Sequence, residues 1–105
     1  MNSCTQLSIL KLDNCQFVNG EILKLITENC KALEELSLCS CTNIATTEEN
    51  YSNMEKDSFE YIKNLKKLKK LNLYRTRICT ESLIDILKSC SELRALNIGS
   101  CINVI

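Results

Sequence analysis

The sequence predicts an α/β fold: a right-handed β-α superhelix of about four parallel strands and three outer helices, with uncapped ends. Three observations predict it. A nine-residue leucine pattern occurs four times at regular intervals. Between the copies the apolar period changes from two to about three and a half, as a switch from strand to helix requires. Cysteine, or a residue that can replace it, recurs at two places in every copy.

The pattern is L-x-x-L-x-[LI]-x-x-[CT]. Its copies are Leu7, Leu10, Leu12 and Cys15; Leu33, Leu36, Leu38 and Cys41; Leu68, Leu71, Leu73 and Thr76; and Leu93, Leu96, Ile98 and Cys101. Their starts are spaced by 26, 35 and 25 residues, the range of leucine-rich repeats apart from one insertion. Cys4, Cys30, Leu65 and Cys90 stand three residues before the starts, so the coils begin near positions 4, 30, 65 and 90. Cysteine is small and apolar when reduced and suits the corners where a coil turns.

Each leucine pattern is read as a short strand, and the apolar clusters between them as helices. Ile22, Leu23, Leu25 and Ile26 follow Asn19-Gly20 and form the first helical face. Phe59, Tyr61, Ile62 and Leu65 form the second, with Asp57 or Ser58 as N-cap. Leu83, Ile84, Ile86 and Leu87 form the third, with Thr80 as cap and Glu81 in the first turn. Stacked coils place their strands side by side and their leucines in the core, making a solenoid. The second coil carries an insertion at about 42–56, polar in the run Thr46 to Asn53, and is expected to vary in length and move.

Composition bounds the function. The chain has 105 residues, thirteen basic and thirteen acidic, and no histidine. Balanced charge removes a general attraction to nucleic acid or anionic membrane. Without histidine the Ser-His-Asp and Cys-His nucleophilic arrangements are excluded, and Asp13, Asp57 and Asp85 fall on separate elements, so no enzyme is expected. No stretch is long enough for a membrane span, and the polar start lacks a signal-peptide pattern. The chain is therefore read as intracellular and cytoplasmic, its eight cysteines as reduced thiols. Cys39-Ser40-Cys41 lacks the second close pair of a zinc site, and no metal or cofactor is expected. Lys63, Lys66, Lys67, Lys69 and Lys70 form a basic cluster, but core leucines interrupt it and aromatic partners are scarce, so it reads as a solvated face with no nucleic-acid partner.

The residues alternating with the leucines point to the open, concave face of the sheet. The binding candidates there are Lys11 and Asp13; Glu35, Ser37 and Cys39; Lys70, Asn72, Tyr74 and Arg75; and Asn97. Ile9, Ala95 and Gly99 share the strip. Tyr74 beside Arg75 is the pair most like an interface anchor.

Cys-x-x-Leu-x-x-Leu-x-Leu-x-x-Cys, repeated at about 26 residues, resembles the cysteine-containing leucine-rich repeats of F-box proteins. Leu71-Asn72-Leu73-Tyr74-Arg75-Thr76, the segment Leu83 to Cys90, and Gly99-Ser100-Cys101 add to the likeness. The resemblance implies a non-catalytic segment that holds a substrate protein for an SCF-type ubiquitin ligase. Its Skp1 and cullin contacts would run through an F-box, for which no separate segment is visible here. By resemblance alone, a mitochondrial or nuclear association is also open. The alternative is a stand-alone repeat scaffold unconnected to ubiquitin. In isolation, unpaired apolar surface at both ends is expected to give marginal stability or self-association.

Overall fold

Leu10, Leu36, Leu71 and Leu96 stand in register in four adjacent parallel strands. The computed structural model describes residues 5–44 and 58–104. Its strands are β1 (Ile9–Lys11), β2 (Glu35–Ser37), β3 (Lys70–Asn72) and β4 (Ala95–Asn97), ordered along the sheet as along the chain. The helical segments are α1 (Gly20–Asn29), a 3-10 helix (Ser58–Asn64) and α2 (Thr80–Ser89). The chain is thus a mixed α/β structure of four parallel strands and three helices among the described residues.

Three-residue strands form few ladder bonds, but pairing continues past their ends. Leu12 N–H donates to Ser37 O at 2.9 Å, Leu38 N–H to Asn72 O at 2.9 Å, and Leu73 N–H to Asn97 O at 2.8 Å. Each leucine pattern places three side chains on the helical side. Leu33, Leu36 and Leu38 are fully buried, as are Leu68 and Leu73, with Leu71 nearly so. Leu10 and Leu96, in strands with one neighbour each, are only partly buried. Burial of an interior leucine contributes about 2 kcal/mol, so the middle units carry most of the core's stabilisation.

The helices pack in chain order, α1 on the 3-10 helix and the 3-10 helix on α2. Asn19 caps α1, its side-chain oxygen accepting from Ile22 N–H at 3.0 Å. The cap expected of Thr80 is corrected. Thr80 is the first residue of α2, Cys79 holds the N-cap position and makes no side-chain capping bond, while Glu81 does lie in the first turn. A thiol is a poor substitute for the oxygen that capping uses. The second helix is 3-10 rather than α. Phe59, Ile62 and Leu65, spaced by three, are all fully buried, the line that three residues per turn produces. Ser58 opens this helix; Asp57 lies outside the described residues, as does 45–57, which holds most of the expected insertion. Thr42, Asn43 and Ile44 occupy the same turn as Gln16, Phe17 and Val18, with Val18 and Ile44 both fully buried.

Every unit leaves the sheet through the same backbone device. Asn14, Ser40, Arg75 and Ser100, each one residue before the Cys/Thr position, have φ of 60°, 60°, 60° and 56°. This left-handed turn directs the next side chain inward. There the thiols do more than fill space. Cys41 Sγ donates to Leu12 O and Cys101 Sγ to Leu73 O, both at 2.9 Å, so each bonds the preceding unit. Thr76 instead donates its hydroxyl to Leu73 O of its own unit at 2.9 Å. Cys90, at the helix end, reaches back to Leu65 O at 3.5 Å. Burial pushes the Cys41 and Cys90 thiols above the ordinary range, and so keeps the donated proton in place.

Candidate partner-binding face

The strip of alternating residues lies on the side of the sheet away from the helices. Register brings it together: Ile9, Glu35, Lys70 and Ala95 form one row across the strands, and Lys11, Ser37, Asn72 and Asn97 the next. A groove of about 310 Å³ crosses all four strands, and the side chains on it include Lys11, Asp13, Glu35, Lys70, Asn72 and Asn97. Ser37 also lines it.

The β1–β2 half of the groove is internally compensated. Lys11 Nζ lies 3.4 Å from Glu35 Oε2, and the Ser37 hydroxyl donates to Asp13 Oδ1. Ser37 is consequently 4% exposed, a buried member of a strip read as open. The β3–β4 half is different. Asn72 Oδ1 accepts from Tyr74 N–H and Asn97 Oδ1 from Gly99 N–H, each at 2.9 Å. These Asx-type bonds repeat one unit apart and fix both amides, because the backbone N–H can face only the oxygen. The remaining Nδ2 hydrogens have no acceptor among the described residues. Lys70 is exposed and makes no ion pair among the described residues.

Three of the candidates lie beyond the strand ends, off the groove lining. Tyr74 is 38% exposed and its ring packs against the backbone of Gly99. Arg75 is exposed and occupies the left-handed turn. Cys39 is half-buried, with Sγ 3.8 Å from Ser40 Oγ. Sequence reasoning missed the asparagine locks and the Asp13–Ser37 bond. The locks had a local signal, Asn followed two residues later by a turn; the Asp13 bond spans 24 residues and had none.

The basic cluster is divided between surfaces. Lys63 pairs with Glu60 at 3.5 Å and Lys69 with Glu34 at 3.3 Å, while Lys70 turns into the groove. Among the described residues no group of three or more histidine, cysteine, aspartate or glutamate side chains could hold a metal. No helix among them is long and apolar enough to cross a membrane.

No protein-family model matches the chain. A curated relative does: over 100 residues, 95% of this chain, the sequence is 34% identical to F-box/LRR-repeat protein 4 of Bos taurus. The chain is similar to an F-box/LRR-repeat protein. It spans 14% of that relative's length. In three dimensions it resembles the tropomodulin C-terminal domain of Caenorhabditis elegans, with a TM-score of 0.65 at 19% identity, over 93% of this chain and 58% of that one. At that identity the likeness shows the fold alone.

Proposed function

We propose that the chain is a leucine-rich-repeat solenoid segment, over the whole of 1–105, whose concave face holds a substrate protein for an SCF-type ubiquitin ligase. The observation that carries the reading is the register. It gathers side chains from all four strands into one groove, the surface on which stacked repeats commonly bind. The similarity to an F-box/LRR-repeat protein supplies the ligase connection, with Skp1 and cullin reached through an F-box elsewhere in such a protein. Cys15, Cys39, Cys41, Cys90 and Cys101 are in no disulfide, which suits a reducing, intracellular compartment.

Proximity labelling in cells tests it, with the protein carrying this chain compared with a variant in which Lys70, Asn72, Tyr74 and Arg75 are alanine. Labelling of Skp1 and cullin by both, with a further set of proteins lost only from the variant, is expected. Absence of the scaffold proteins from both would remove the ligase reading. The second reading is a stand-alone binding scaffold, because the fold by itself requires no ubiquitin connection.

A further inference from the structure

We infer that the β3–β4 half of the groove receives carboxylate side chains, so that the partner presents an extended segment bearing aspartate or glutamate. The inference rests on the concave-face reading and adds the chemistry of the partner. Charge in the groove is unevenly satisfied. Glu35 and Lys70 are strand neighbours, yet the Glu35 carboxylate is held by Lys11 at 3.4 Å, and Asp13 is engaged by Ser37. Lys70 is left as a cation without an ion-pair partner among the described residues.

Beside it, Asn72 and Asn97 are register partners on adjacent strands, about 4.8 Å apart across the ladder. Each oxygen is turned to the backbone, accepting from the Tyr74 or Gly99 N–H, so the amides keep their Nδ2 donors for a ligand. A cation and two fixed amide donors on neighbouring strands complement an anionic acceptor. The Lys70 charge repels a basic one. Hydrogen bonds to an ionised acceptor are about twice as strong as neutral ones, and the donors here are already oriented. The source is a side-chain carboxylate rather than a chain terminus. The groove crosses all four strands, so an extended segment lying along it meets these donors with its side chains.

The test uses a random-peptide phage library selected on the intact protein, with retesting of enriched peptides on three variants. Enrichment of acidic peptides is expected. Lys70→Glu should weaken them at least tenfold, and the paired change Asn72→Asp with Asn97→Asp should do the same. The aspartates keep the oxygen that caps the backbone while replacing the donors, so folding is preserved as binding is lost. Lys11→Glu, which breaks a compensated pair, should have a smaller effect. Peptides that are weakened by the groove variants but carry no acidic excess would overturn the carboxylate inference and leave the concave-face reading standing. Peptides indifferent to every groove variant, or no enrichment at all, would overturn both.

Discussion

The ring of Tyr74 occupies the space that a side chain at Gly99 would need. A Cβ on Gly99 would stand 2.9 Å from Tyr74 Cδ1 and 3.0 Å from Cε1. Gly99 N–H is meanwhile held by Asn97, and Tyr74 N–H by Asn72. The aromatic candidate of the strip is therefore positioned by two asparagines and one missing side chain.

Gly99→Ala should destabilise the protein by about 1 kcal/mol through overpacking against the ring. The cost should largely vanish in a Tyr74→Ala background, where the ring is gone. A double-mutant cycle by chemical denaturation checks this; equal costs in both backgrounds would separate the two residues.

Arg75 sits at φ 60°, where a non-glycine residue is strained by about 1 kcal/mol. Arg75→Gly should leave stability unchanged or slightly raised, and Arg75→Val should lower it by about 2 kcal/mol. Thermal melts of the two variants decide the matter. Arg75→Gly then also offers a folded protein lacking the guanidinium, suited to asking what Arg75 contributes to binding.

The leucine column should show graded sensitivity. Leu36 is fully buried between two neighbouring strands, whereas Leu96 is partly buried at the sheet's edge. Leu36→Ala should cost about 3 kcal/mol and Leu96→Ala about 1 kcal/mol. Urea midpoints are the measurement, and equal costs would contradict the unequal burial.

Alkaline pH should destabilise the fold through its thiols. Burial raises the Cys41 and Cys90 thiols above their ordinary value; for Cys41 a weaker Cys15 backbone hydrogen bond opposes the rise, and for Cys90 the nearby Lys66 does. The folded state therefore holds these protons more tightly than the unfolded one. The contribution is fully present below the unfolded thiol pKa of about 8.5 and is lost as pH rises through the folded values. Stability should fall from about pH 8.5 upward, and more steeply in the unmodified protein than in a Cys41→Ala, Cys90→Ala variant. Denaturation at neutral and alkaline pH compares the slopes.

Much of the architecture was legible because a repeat is a local pattern. Leu7 to Cys15 and its three counterparts give strand positions, inward faces and the register itself, since stacked copies must align their equivalent leucines. Helix type was less legible. Phe59, Ile62 and Leu65 fit both three and 3.6 residues per turn over so short a span, and contact with α1 and α2 accompanies the tighter winding. The cap at Thr80 was misplaced by one residue because a good capping residue also fits the first turn.

The sequence by itself determined the repeat, the leucine core and the strip from which a binding face would be drawn, because alternation and spacing are properties of neighbouring residues. Only the tertiary structure decided which members of that strip are available. Ser37 is covered by Asp13 from the adjacent unit, Lys11 and Glu35 satisfy each other, and Lys70 with the locked amides of Asn72 and Asn97 remains open. The physical reason is that charge compensation and hydrogen-bond satisfaction depend on distances between residues some 25 positions apart, which come into being only when the units stack.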